Sequence, residues 1–209
     1  MKGKKIFDSD SVIDEKTNID QFIPPYPGWN YVRLLQHPED RFNYQYNIDT
    51  CGKWLVFVPA QEFVEVFRKL CKLAKEFKLT HCFKASGEPG KGDMHVFCIY
   101  CSDYHNFSFV RKIGNTLLTE GILDKYGYKY RDGTRALFFK TDNTTHYKSN
   151  AFGESLTLFR FTNKRELYIK EFFDNKPGWK IVIDDNQRDL TENFEMHLET
   201  LEIGDENFD

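Results

Sequence analysis

From Gln61 to Lys78 the apolar residues Phe63, Val66, Phe67, Leu70, Leu73, Ala74 and Phe77 recur at intervals of three and four, with lysines and glutamates between them. That spacing gathers them on one stripe of a helix and predicts an amphipathic helix buried along one side. A second stripe, Val110, Ile113, Gly114, Leu117 and Leu118, predicts another helix over 106–120. Gly121 follows it, a residue suited to the left-handed conformation common just past a helix end. Between and around the helices the pattern changes. KWLVFV (53–58) is a nearly continuous apolar run rich in aromatic and β-branched residues, which predicts a strand covered on both faces or nearly so, stopped by Pro59. THCFKAS (80–86) and MHVFCIYC (94–101) predict two strands, and the intervening GEPGKGD (87–93) has the length and glycine content of an antiparallel hairpin turn. ALFFKTD (136–142) predicts one more.

The resulting central order, β-α-β-β-α-β, predicts an α+β fold: one antiparallel-rich sheet with both helices on one face. SLTLFRF (155–161), ELYIKEF (166–172) and WKIVI (179–183) extend the strand pattern. IPPYPGWNYVRLL (23–35) predicts an extended, proline-led entry into a short strand or helix, and HPEDRFNYQYNID (37–49) a loop or a short helix from Pro38. The polar start, residues 1–22, is expected to be loosely held, and the acidic residues 186–209 to form a tail that frays after one short helix. Residues 23–185 then make a single domain, and no internal repeat is present.

Composition narrows the class. The chain has 209 residues, 40% of them hydrophobic and 16% aromatic, including twenty phenylalanines and eleven tyrosines, which a disordered chain does not carry. A net charge of −3 and a pI near 6.1 exclude a uniformly basic nucleic-acid binder, although a local basic patch is compatible with them. The lysines of MKGKKIFDSDSVIDEK precede no apolar segment of the kind a signal peptide has, and no apolar run approaches the roughly 20 residues that span a bilayer. Five cysteines, an odd count, read as reduced thiols. A cytoplasmic protein is expected, with the nucleus open to a chain of this size.

The motifs with chemistry in them need weighing. Cys98 and Cys101 are spaced like a zinc or redox pair, but on a strand they face opposite ways and no further Cys or His pair completes four ligands, so they read as structural thiols. No metal and no cofactor is expected. GEPGKGD departs from a phosphate loop, which needs glycine at Ala85 and a hydroxyl at Gly92, and reads as a hairpin turn whose Lys91 remains available to an anion. His95 shares a strand face with Phe97 and Ile99 and reads first as a histidine satisfied by solvent or backbone. Lys84 lies inside an apolar strand, where an ammonium is costly unless it is paired or used. Lys140 ends ALFFK and Lys53 begins its own strand, positions where lysines often extend to water. If Lys53, Lys84 and Lys140 converge on one face, with Lys91 on the adjoining hairpin, they form a cationic floor suited to a phosphate. Trp54 is expected in the core, whereas Trp29 and Trp179 follow Pro-Gly turns and are candidates to stack on a purine.

In order along residues 52–147, GKWLVFVPAQEFVEVFRKL, FKAS, HVFCIYCSDYHN and LFFKTDNTTHY resemble successive blocks of the family that contains the basophilic-leukaemia-expressed protein and bacterial proteins with a phosphothreonine-lyase domain label. The resemblance implies the fold of the cap-binding translation initiation factor, a curved antiparallel sheet backed by helices. A more distant similarity is to the bacterial effector phosphothreonine lyases, whose catalytic lysine strand falls on Phe83-Lys84 and whose Lys-aromatic-His strand start falls on Lys53, Trp54 and Leu55. In those enzymes the lysine removes the α-proton of phosphothreonine, a histidine protonates the departing phosphate and arginines hold it. Here Leu55 stands in place of the histidine, and Lys91 is the nearest cation where an arginine would align.

Two functions follow as expectations. The first is a non-catalytic binding domain for a phosphate-bearing ligand, whether a nucleotide, a cap-like group on RNA or a phosphopeptide, using Lys53, Lys84, Lys91 and Lys140 with Trp29 or Trp179 for stacking. The second is an enzyme eliminating phosphate, with Lys84 as base and His95 as substitute acid. Beside them stands a protein-interaction scaffold with no small ligand, meeting a protein partner through the acidic tail or the convex helical face, and no membrane association is expected.

Overall fold

The computed structural model describes residues 9–13, 18–21, 29–34, 49–76, 82–142, 157–173 and 176–182. Its strands are β1 (Ser9–Ile13), β2 (Trp29–Leu34), β3 (Gly52–Pro59), β4 (Cys82–Ser86), β5 (Met94–Cys101), β6 (Tyr128–Lys129), β7 (Arg135–Thr141), β8 (Thr157–Thr162), β9 (Leu167–Phe173) and β10 (Lys176–Ile181). The helices are α1 (Phe63–Lys75), α2 (Phe107–Thr119) and the short α3 (Ile122–Tyr126). All ten strands join one open, curved sheet in the order β1-β2-β4-β5-β3-β7-β8-β9-β10, with β6 paired to β7. Every pairing is antiparallel except β1 with β2. The architecture is α+β, with the helices on one side of the sheet.

The two helical stripes read from the sequence are the buried faces. In α1 they are Phe63, Val66, Phe67, Leu70, Leu73 and Ala74, joined by Cys71, and in α2 they are Val110, Ile113, Gly114, Leu117 and Leu118. They pack on Trp54, Val56, Phe83, Phe97, Ile99, Phe139, Phe159 and Phe161, which all point from the sheet to the same side. Asn106 caps α2, its side-chain oxygen accepting the Phe109 N–H at 3.0 Å. Gly114 marks a close helix–sheet approach, because a Cβ there would stand 2.7 Å from Phe161 Cγ.

Several boundaries differ from the sequence pattern. Ser9–Ile13 form β1 inside the stretch expected to be loosely held, and parallel pairing with β2 accounts for it. Gly121, at φ 72°, ends α2 as expected but also opens α3, too short to leave a periodic signal. The two-residue β6 is below that threshold as well. The strand expected at 136–142 ends at Thr141, so Asp142 lies just beyond it. β3 is covered on both faces only at Gly52–Trp54; farther on, Phe57 is 50% exposed, since no helix crosses that side. Phe77, residues 80–81, most of 37–49 and the tail from 186 lie outside the described residues.

Candidate functional site

Among the described residues the sheet's second face carries no helix, and strand register assembles a site on it. Directly opposed residues form one row across six strands: Lys84, Cys98, Leu55, Phe138, Arg160 and Tyr168. Opposed residues in an antiparallel sheet point the same way, so this row defines the helix-free face. Two residues along β3, Lys53 lies opposite Tyr100 on one side and Lys140 on the other. The three lysines expected to converge therefore occupy one face.

Tyr100 organises two of them. The ammonium groups of Lys53 and Lys84 each stand 5.7 Å from the centre of its ring, within cation–π range. Lys53 is buried and forms an ion pair with Asp142, itself buried. Asp142 is placed by its backbone N–H, which donates to the Cys51 carbonyl at 2.9 Å. Lys140 is half-buried. Asp142 was missed in the sequence because its partner lies 89 positions away and only strand pairing joins them.

Arg160 was also missed, although SLTLFRF carries the signal that singled out Lys84, a cation inside an apolar strand. Its guanidinium carbon lies 4.3 Å from the centre of the Tyr168 ring, 5.1 Å from Trp179 and 5.6 Å from Tyr130. Trp179 is thus on the helix-free face, as its candidacy requires, but its ring already meets an arginine. The exposed Tyr128 ring adjoins Tyr130 and Phe138 at 5.0 and 6.1 Å between centres. Cations and aromatic rings alternate over this half of the face.

Other expected residues fall elsewhere. His95 points to the helix side with Phe97 and Ile99; its ring stacks on Phe63 with 4.1 Å between centres, and its Nδ1–H donates to the Ser86 carbonyl at 2.8 Å. It is buried on the opposite face from Lys84, so the expected pairing of Lys84 as base with His95 as acid is not assembled. Lys91 is exposed in the turn joining β4 and β5, beyond the strand ends. That turn is a hairpin closed by the Gly90 N–H on the Met94 carbonyl at 2.8 Å. Trp29 heads β2 opposite Ser86, and its side chain lies outside the described residues.

The CxxC cysteines separate as strand geometry requires. Cys101 joins the main core, whereas Cys98 clusters with Cys51 and Tyr100 beneath the lysines. Burial pushes the Cys98 thiol up to about 11, against the opposing pull of Lys84 and Lys53. Burial likewise lifts Cys71 and Cys101 to about 12. All three are expected to resist iodoacetamide at pH 8 in the native protein and to react after unfolding in urea, as read by peptide mass spectrometry. Because the unfolded thiols ionise near 9, their contribution to stability is complete below that pH and falls as pH rises toward 11–12.

Neither a protein-family model nor a curated protein sequence matches the chain. Among the described residues no helix is long and apolar enough to cross a membrane.

Proposed function

We propose that the protein is a binding domain of the cap-binding-factor-like kind that holds a phosphate-bearing ligand, a nucleotide or cap-like group or a phosphopeptide, on the helix-free face of its sheet. The carrying observation is the grouping of Lys53, Lys84 and Lys140 on one face, with Lys53 and Lys84 over the Tyr100 ring and Lys140 directly opposite Lys53. Lysines directly opposite each other on antiparallel strands repel, and a bound anion relieves that cost. Asp142 fixes Lys53 as a buried support, and Lys84 and Lys140, both half-buried, are the contacts. The neighbouring rings supply surface for a base or an aromatic side chain.

Binding is favoured over phosphate elimination because His95 lies across the sheet from Lys84 and Leu55 occupies the row beside Cys98. Elimination without a positioned acid loses about 10²–10⁴-fold in rate.

Calorimetric titration with a capped nucleotide and with a phosphothreonine peptide tests the proposal. One of them is expected to bind, and Lys84→Met to weaken that binding at least about tenfold, the effect of losing one charge-assisted contact. Equal affinity in both proteins rules out Lys84 as a contact. In the same mixtures the peptide mass is expected to stay unchanged; loss of phosphoric acid that disappears in Lys84→Met would establish the lyase instead.

A further inference from the structure

We propose that Arg160 anchors a second oxyanion site on the helix-free face, taking two oxygens of a phosphate or carboxylate through the planar fork of its guanidinium. Arg160 is 5% exposed, and the three rings of Tyr130, Tyr168 and Trp179 hold its charge. Ring faces attract a cation but are poor acceptors for its N–H groups. Nε is buried with no hydrogen-bond partner, and among the described residues the guanidinium meets no carboxylate. Buried charges are ordinarily paired and hydrogen-bonded. Arg160 therefore has its packing completed and its Nε–H unmet, the condition of a donor held ready for an oxyanion.

The other arginine with an unmet Nε, Arg111, makes the contrast. It lies on α2, and one of its Nη atoms donates to the Val182 carbonyl, so it ties the helix to the chain after β10. Among the described residues Arg160 has no such tie.

Position links the new site to the lysines. Arg160 lies opposite Phe138, two residues along β7 from Lys140, and diagonal neighbours on a sheet face are about 7–8 Å apart. A bulge between Phe139 and Lys140 adjusts this pairing without moving either residue to another strand. Lys84 on β4 and Arg160 on β8 thus share one row, and Lys53 and Lys140 lie between them in the next row, on β3 and β7. The ligand class that fits carries two anionic groups, one at the lysines and one at Arg160. That last step rests on the phosphate reading of the lysines; the oxyanion site at Arg160 does not.

The Nε–H resonance of Arg160 in the full chain reports the site directly. Inorganic phosphate and sodium acetate are added in separate ¹H–¹⁵N titrations, against sodium chloride at matched ionic strength. A saturable shift is expected with phosphate, marking a phosphate group, or with acetate, marking a carboxylate. No saturable shift with either, or the same shift with chloride, overturns the site. In Lys84→Met the Arg160 shift is expected to persist even where binding at the lysines is lost, which separates the two readings; a shift abolished with Lys84 overturns a distinct site. Arg160→Lys, which keeps the charge but loses the fork, is expected to weaken the responding anion at least about tenfold. Unchanged affinity in that variant overturns the role of the fork, and the wild-type titration decides the matter if the variant does not fold.

Discussion

Trp54→Ala is expected to destabilise the protein by about 3–5 kcal/mol, the range for deleting a fully buried large aromatic. Trp54 has no exposed surface and sits where β3, β7, β8 and α2 meet. Its ring packs edge-on against Phe139 at 5.3 Å and Phe161 at 6.3 Å, and its indole N–H donates to the Val110 carbonyl at 3.3 Å. Truncation removes the aromatic contacts, leaves a cavity between sheet and helix, and breaks the bond from the Trp54 indole to the Val110 carbonyl of α2. A domain has about 5–15 kcal/mol in all, so this single change threatens the fold. Trp54→Phe keeps most of the packing and is expected to cost about 1–2 kcal/mol, chiefly the hydrogen bond and a smaller void. Urea unfolding with tryptophan-independent circular dichroism separates the two variants by midpoint at constant slope. A loss below about 1 kcal/mol for the alanine variant would mean that β3 and α2 do not share this core.

The position of Trp54 was legible because KWLVFV is apolar without interruption, and a central strand under helices needs that pattern. The helical stripes were legible for the same reason: burial on one side leaves a period that fifteen or so residues are enough to display. Strand β5 was readable to its ends, since MHVFCIYC is bounded by turn residues. Pairing partners left no such trace. That Lys53 faces Lys140, or that Asp142 lies beside them, depends on which strands become neighbours, a fact set by the whole sheet and not by any local run. The lysines could be proposed as a group but not counted as one until β3 was found between β5 and β7. The separation of His95 from Lys84 likewise depends on strand pairing. His95 lies three residues from Cys98, the partner of Lys84, and an odd interval on a strand reverses the face. Arg160 was overlooked because strands at the end of the pattern were read for periodicity alone.

Asp142→Ala is expected to cost about 3–5 kcal/mol, the effect of removing one partner from a buried ion pair and leaving the other charge uncompensated. Lys53 cannot turn to water, because its strand is covered there on both faces, and Lys140 directly across from it adds repulsion. Lys53→Met is expected to destabilise as well, by removing the ammonium that pairs with the buried Asp142 carboxylate. The double variant Lys53→Met/Asp142→Leu puts apolar groups of similar size in both places and is expected to fall within about 1 kcal/mol of the wild type, or above it. A double-mutant cycle by urea unfolding measures the coupling. If the double variant is as unstable as either single one, the pair is not what the singles lose. If stability returns, the ion pair is costly to break yet dispensable for folding, and its value lies in what it supports. On the proposed reading that is a fixed cation beneath Tyr100, holding the ring between Lys53 and Lys84. The restored double variant should then fold like the parent and bind the phosphate-bearing ligand more weakly, whereas undiminished binding would confine the site to Lys84 and Lys140.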